Sequence, residues 1–158
     1  MRSAERMRPV ERMRPVELGE TEAMEQTVNL RGGGGGTTLY EHVGGTEFFV
    51  RLVDAFYARV AADAVLLALY PEPHDLGPAR ERLTLFLVQY WGGPTTYSDA
   101  RGHPRLRMRH APFVIGETER DHWLVAMRAA VGEVAPPPAA TDALLSYFEM
   151  AADSMRNQ

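Results

Sequence analysis

From Thr38 onward, glycines and prolines cut the chain into short runs whose apolar residues recur at helical spacing, and no pair of runs alternates as strands would. After Thr46, the residues Phe49, Leu52, Val53, Phe56, Tyr57 and Val60 keep one continuous apolar face. Leu83, Phe86, Leu87, Tyr90 and Trp91 repeat that spacing with Ala79 one turn earlier, which predicts a helix over 79–91 ended by Gly92-Gly93-Pro94. Thr38-Leu39-Tyr40-Glu41 matches a capping box, opening a short helix of about two turns that Gly44-Gly45 stops. Asp63 is placed to cap a turn carrying Val65, Leu66, Leu69 and Tyr70, before Pro71 and Pro73 break it. Thr118-Glu119-Arg120-Asp121 is a second box-like start, for a helix that buries Trp123, Met127, Ala130 and Val131. Beyond Pro136-Pro137-Pro138, a last helix from about Thr141 presents Leu144, Leu145, Phe148, Ala152 and Met155 inward. Between Gly93 and the segment around His110 the chain reads as a polar loop through Tyr97 and Gly102. The sum is about six helices, two of them short, in an all-α domain over residues 38–158.

Residues 1–37 differ in kind. Glu5-Arg6-Met7-Arg8-Pro9-Val10 is repeated at once as Glu11-Arg12-Met13-Arg14-Pro15-Val16, and Gly32 to Gly36 is a pentaglycine. Six arginines balance six glutamates there, and large apolar side chains are few, so a disordered extension is expected. Over the whole chain a net charge of −4 gives no general attraction for nucleic acid or anionic lipid. The absence of cysteine excludes disulfides, iron–sulfur clusters and thiolate zinc sites. No apolar run approaches membrane-spanning length and no signal core opens the chain, so a cytoplasmic protein without a membrane partner is expected. There is no H-E-x-x-H, P-loop or nucleophile elbow, and no basic helix for nucleic acid.

The remaining candidate for chemistry is Gly102-His103-Pro104-Arg105-Leu106-Arg107-Met108-Arg109-His110-Ala111-Pro112-Phe113. His110 stands among apolar neighbours just before a proline stop, and Arg105, Arg107 and Arg109 could meet the carboxylates of an anionic ligand. Such a histidine can equally be a hydrogen-bonded structural residue. His42, His74 and His122 sit in polar or turn settings and are expected to face water. Tyr57 and Tyr70 suit amphipathic core filling, or hydroxyls pointed into a cavity. The Trp123 indole N–H needs an acceptor if buried.

Taken together, Tyr40-Glu41-His42-Val43-Gly44-Gly45, Phe56-Tyr57, Leu69-Tyr70-Pro71, Tyr90-Trp91-Gly92-Gly93-Pro94 and the segment from Gly102 to Phe113 resemble the group II truncated haemoglobins. Trp123 and Tyr147-Phe148-Glu149-Met150-Ala151-Ala152 extend the likeness over about residues 38–156. The resemblance implies a two-over-two helical sandwich enclosing haem b (iron protoporphyrin IX), with His110 as the proximal iron ligand. It makes Tyr57, Tyr70 and Trp123 the polar distal groups. Ala79 stands where longer globins often carry a distal histidine, with Leu83 one turn on. Phe86 and Leu87 line the haem pocket, and Arg109, then Arg107, partner a haem propionate. The implied function is binding of O₂ and other diatomic ligands (NO, CO), of carrier, store or sensor type. The alternative is a haem redox enzyme, peroxidase-like or a nitric oxide dioxygenase, which would need an outside electron donor. A homo-oligomer is left open.

Overall fold

The computed structural model describes residues 37–158; the expected extension, with its repeat and pentaglycine, lies outside the described residues up to position 36. The elements are α1 (Leu39–His42), α2 (Thr46–Ala61), α3 (Ala64–Leu67), α4 (Gly77–Tyr90), α5 (Thr96–Arg101), α6 (Leu106–His110), α7 (Glu117–Val134) and α8 (Pro138–Ser154). No strand occurs among the described residues. The long helices α2, α4, α7 and α8 form the two-over-two sandwich: α2 packs on both α7 and α4, and α8 lies against α7.

The apolar stripes turn inward as their spacing requires. Phe49, Leu52, Val53, Phe56 and Val60 of α2 are fully buried, as are Met127, Ala130 and Val131 of α7. Leu144 and Phe148 of α8 meet them from the other side. Burial of such side chains contributes about 1.5–3 kcal/mol each, far more than helix propensity supplies in elements of this length.

The helix starts follow local chemistry. Thr38 Oγ1 accepts from the Glu41 N–H at 3.2 Å, and α1 stops after a single turn. Asp63 Oδ1 accepts from the N–H groups of Val65 and Leu66 at 2.9 and 3.1 Å, capping α3. Three expectations need correction. The α7 start lies at Gly116, not at the Thr118 box, because the Gly116 N–H donates to Glu119 Oε2 at 2.9 Å. The last helix begins at Pro138, whose missing N–H is tolerated in a first turn. The supposed polar loop after Gly93 contains α5. Gln89 holds it, accepting from the Ser98 N–H at 2.9 Å and donating to Ser98 Oγ at 2.7 Å, while Tyr97 packs edge-on against Phe86.

The turn after α4 brings its end beneath α1, where the Tyr40 N–H donates to the Trp91 carbonyl at 3.0 Å. Gly92 has φ +103°, and a Cβ there would sit 2.7 Å from Thr38 Cβ. Gly44 has the same φ with open space around it. Both positions penalise a side chain for backbone reasons, whereas only Gly92 adds a steric clash. Gly92→Ala is therefore expected to cost about 1–3 kcal/mol more than Gly44→Ala in urea unfolding, the usual scale of overpacking. Equal losses would show that the close approach to Thr38 is unimportant.

Candidate functional site

A cavity of about 510 Å³ lies between the helices, inside the range of roughly 300–1,000 Å³ usual for cofactor pockets. Its floor is apolar: Phe56, Leu66, Leu83, Phe86, Leu87 and Phe148 all reach it, and Ala79 leaves one side of it unobstructed by a large side chain. Nine of the ten residues singled out in the sequence meet on its wall: His110, Tyr57, Tyr70, Trp123, Leu83, Ala79, Phe86, Leu87 and Arg109. Arg107 is exposed and off the wall.

His110 ends α6, a helix of five residues built on a left-handed Arg105 (φ 42°). Its Nδ1 lies 2.6 Å from the Leu106 carbonyl one turn back. A carbonyl can only accept, so Nδ1 carries the proton, and Nε2 is left with its lone pair for the cavity. The segment is braced from both ends. Arg109 Nε donates to the Pro104 carbonyl at 2.7 Å, and one of its terminal nitrogens donates to the Arg101 carbonyl at 3.0 Å. Beyond His110, Asn157 near the C-terminus donates to the Phe113 carbonyl at 2.6 Å and accepts from the Ile115 N–H at 2.9 Å. Among the described residues no three His, Cys, Asp or Glu side chains cluster to hold a metal ion. A metal at His110 would therefore take its other ligands from a cofactor. An apolar slot with one oriented imidazole and cationic arginines on its wall fits an iron porphyrin with two propionates.

Elsewhere on the wall three polar aromatics converge. Tyr57, buried on α2, and Tyr70, just past α3, stand with ring centroids 5.8 Å apart, and the Tyr70 hydroxyl points its proton at the Tyr57 oxygen at 3.5 Å, a long contact. Burial raises both phenols above their ordinary range; for Tyr57 the neighbouring Tyr70 adds to this, while the Arg82 charge pulls both down by less. Both therefore remain hydroxyl donors at any physiological pH. Trp123 on α7 packs at 5.3 Å from Phe56 and 5.7 Å from Phe148, ring centre to ring centre, with its indole on the cavity wall.

Several wall residues had not been singled out. Arg101 adds positive charge beside Arg109, with Tyr97 stacked beneath both and each guanidinium carbon 5.9 Å from its ring centre. Arg82 lies on the same cavity wall within electrostatic reach of Tyr57 and Tyr70. Spacing could have found Arg82, one residue before Leu83, but Tyr97 was hidden by the turn-forming residues around it. His122, expected to face water, is 40% exposed and also has its Nδ1 2.8 Å from Asp63 Oδ2. His42 and His74 are exposed, as expected.

Residues 38–157 match the family model of bacterial-like globins. The chain is 39% identical over 119 residues to the group 2 truncated hemoglobin YjbI of Bacillus subtilis, covering 75% of this chain and 88% of that protein. It is similar to the thermostable hemoglobin of Thermobifida fusca, at 60% identity and TM-score 0.75, covering 77% of this chain and 98% of the other. The hemoglobin of Chloroflexus aurantiacus is similar at 54% identity and TM-score 0.75, covering 77% and 99%.

The raised phenols have a thermodynamic consequence. A tyrosine whose proton is held more tightly in the folded than the unfolded chain costs nothing below the unfolded value near 10 and progressively destabilises the fold as pH rises above it. In a spectrophotometric titration, Tyr57 and Tyr70 should ionise only with alkaline unfolding, and the double variant Tyr57→Phe/Tyr70→Phe should resist alkali better than the parent. Ionisation of all six tyrosines near pH 10 in the intact fold would contradict this.

Proposed function

The chain belongs to the bacterial-like globin family, as a group II truncated haemoglobin, and from that premise we propose that it binds haem b through His110 and holds O₂ beneath Tyr57, Tyr70 and Trp123. When bound, the haem iron supplies an open coordination position for a diatomic gas. Everything else is done by the chain.

The observation that carries this reading is the orientation of His110. The Leu106 carbonyl holds Nδ1–H, which fixes the tautomer and makes Nε2 the basic nitrogen without further reorganisation. Phe86, Leu87 and Leu83 exclude water from the slot and bury the macrocycle's apolar face. Arg109 is the propionate partner in this reading, with Arg82 and Arg101 on the same wall. Arg107, being off the wall, would act only through its field.

Across from His110 the Tyr57 hydroxyl and the indole N–H act as donors toward a ligand that gathers negative charge. Tyr70, donating to the Tyr57 oxygen, turns the Tyr57 proton outward and can itself rotate to the ligand. Each hydrogen bond nets about 0.5–1.5 kcal/mol, so each slows release by roughly two- to tenfold. Two or three such donors favour retention of O₂ over rapid delivery. The same space admits NO, CO or a peroxide, and turnover of any of them would draw electrons from a separate donor. We place this activity in the cytoplasm, where a chain without cysteine needs no oxidative stabilisation.

Two variants test the assignment. His110→Gly should lose the Soret band of the haem-loaded protein and regain it with added imidazole; a band unchanged without imidazole would remove His110 as the ligand. Trp123→Phe should release O₂ about two- to tenfold faster in stopped flow. An unaltered off-rate would mean that the indole does not reach the ligand.

A further inference from the structure

Tyr70 and Trp123 stand on different elements, and both are braced from α2. Tyr57 touches Tyr70 at 5.8 Å between ring centroids, and its neighbour Phe56 touches Trp123 at 5.3 Å. That fixes the inner ends of the two aromatics. α3 also packs on α7, and a side-chain hydrogen bond ties the start of one to the first turns of the other. Asp63 spends Oδ1 on the Val65 and Leu66 N–H groups, and its other oxygen, Oδ2, lies 2.8 Å from Nδ1 of His122, the residue immediately before Trp123.

We propose that His122 is a positioning residue: clamped to Asp63, it sets the distance between Tyr70 and Trp123 across the cavity and thereby the rate at which a diatomic ligand leaves. This rests on the haem-binding reading above. The connection from Asp63 to Tyr70 is stiff. From Asp63 the chain runs through α3 with Leu67 N–H donating to the Asp63 carbonyl at 2.9 Å, then Tyr70 N–H to the Leu67 carbonyl at 3.2 Å, with Leu66 buried beneath. On the other side, His122 and Trp123 share the first turns of α7, so a shift of one moves the other.

A stability role does not account for the pair. The side chains of His122 and Asp63 are 40% and 25% exposed, and ion pairs that open to water contribute little to folding. Asp63 also needs only one oxygen to cap α3. The second oxygen serves geometry. Because Nδ1–H donates to the carboxylate whether His122 is neutral or cationic, the clamp needs a donor at that position and does not need a charge. The His122 hydrogen bond is the main influence holding the Asp63 carboxyl below the usual carboxylate range, so the acceptor stays ionised at neutral pH.

The donor requirement gives a discriminating set of variants in the haem-loaded protein. Asp63→Ser keeps one capping oxygen for the Val65 and Leu66 N–H groups but leaves no acceptor at the position of Oδ2, so Nδ1 loses its partner in either tautomer. His122→Leu removes the donor. His122→Asn places an amide nitrogen where Nδ1 was, and still donates. Asp63→Ser and His122→Leu should each speed O₂ release about threefold or more, the loss of one well-aimed donor. They should also move the C–O stretch of the CO complex in the direction Trp123→Phe moves it. His122→Asn should stay close to the parent in both. If His122→Leu fails to fold, the contrast between Asp63→Ser and His122→Asn carries the decision. The proposal is overturned if Asp63→Ser behaves as the parent, or if His122→Asn is as impaired as Asp63→Ser.

A second measurement separates this outcome from failure of the haem reading. The indole ¹H–¹⁵N resonance of Trp123, assigned by its loss in Trp123→Phe, needs neither haem nor gas. It should shift in Asp63→Ser and hold in His122→Asn even if no haem binds; an unmoved resonance in Asp63→Ser sinks the clamp alone.

Discussion

The bond from His110 Nδ1 to the Leu106 carbonyl, 2.6 Å long, is the interaction on which the site depends. It lies within a helix of only five residues, too short to hold itself by propagation of backbone hydrogen bonds. The surrounding chain supplies the rigidity instead. Arg109 ties the segment back to the carbonyls of Pro104 and Arg101, and Asn157 pins its exit from a distance of more than forty residues in sequence. A single imidazole is thereby presented with its tautomer decided in advance, which is what a metal ligand requires.

The rest of the wall works by a different principle. Around Tyr57, Tyr70 and Trp123 the polar atoms are two hydroxyls and an indole, with Phe56, Leu66 and Phe148 lining the same cavity. Burial makes ionisation of Tyr57 and Tyr70 costly, so the low polarity that favours a macrocycle also keeps the phenols protonated as donors. Electrostatics in a water-poor slot are stronger than at a surface, and a few donors there outweigh a larger number outside. The cationic side chains on the wall, Arg82, Arg101 and Arg109, match a dianionic cofactor edge.

Much of this is legible in the amino-acid sequence. The inward stripe of α2 and the stops at Gly44-Gly45 and Gly92-Gly93 follow from helical period and backbone freedom, and the structure places them accordingly. The Asp63 cap was readable from residue type and position. What escaped notice depended on partners distant in sequence. Tyr97 sits among threonines, a serine and an aspartate that read as loop, and only Gln89 and the face of Phe86 make that stretch a helix. The start of α7 moved because a glycine N–H found the Glu119 carboxylate, a bond that a search for side-chain caps does not reveal. The partner of His122 could not be read locally because it lies 59 residues earlier. The tail's grip through Asn157 had no local pattern at all.

The central claim is that His110 presents its Nε2 to a porphyrin iron in a largely apolar slot. It is tested most directly by titrating haem into the purified full-length chain and recording the absorption spectrum after reduction under CO. The account predicts saturation at one haem per chain, with the sharp Soret band of a histidine-ligated CO complex. Absorbance that rises without saturating, or a spectrum identical to that of free haem under CO, would contradict it.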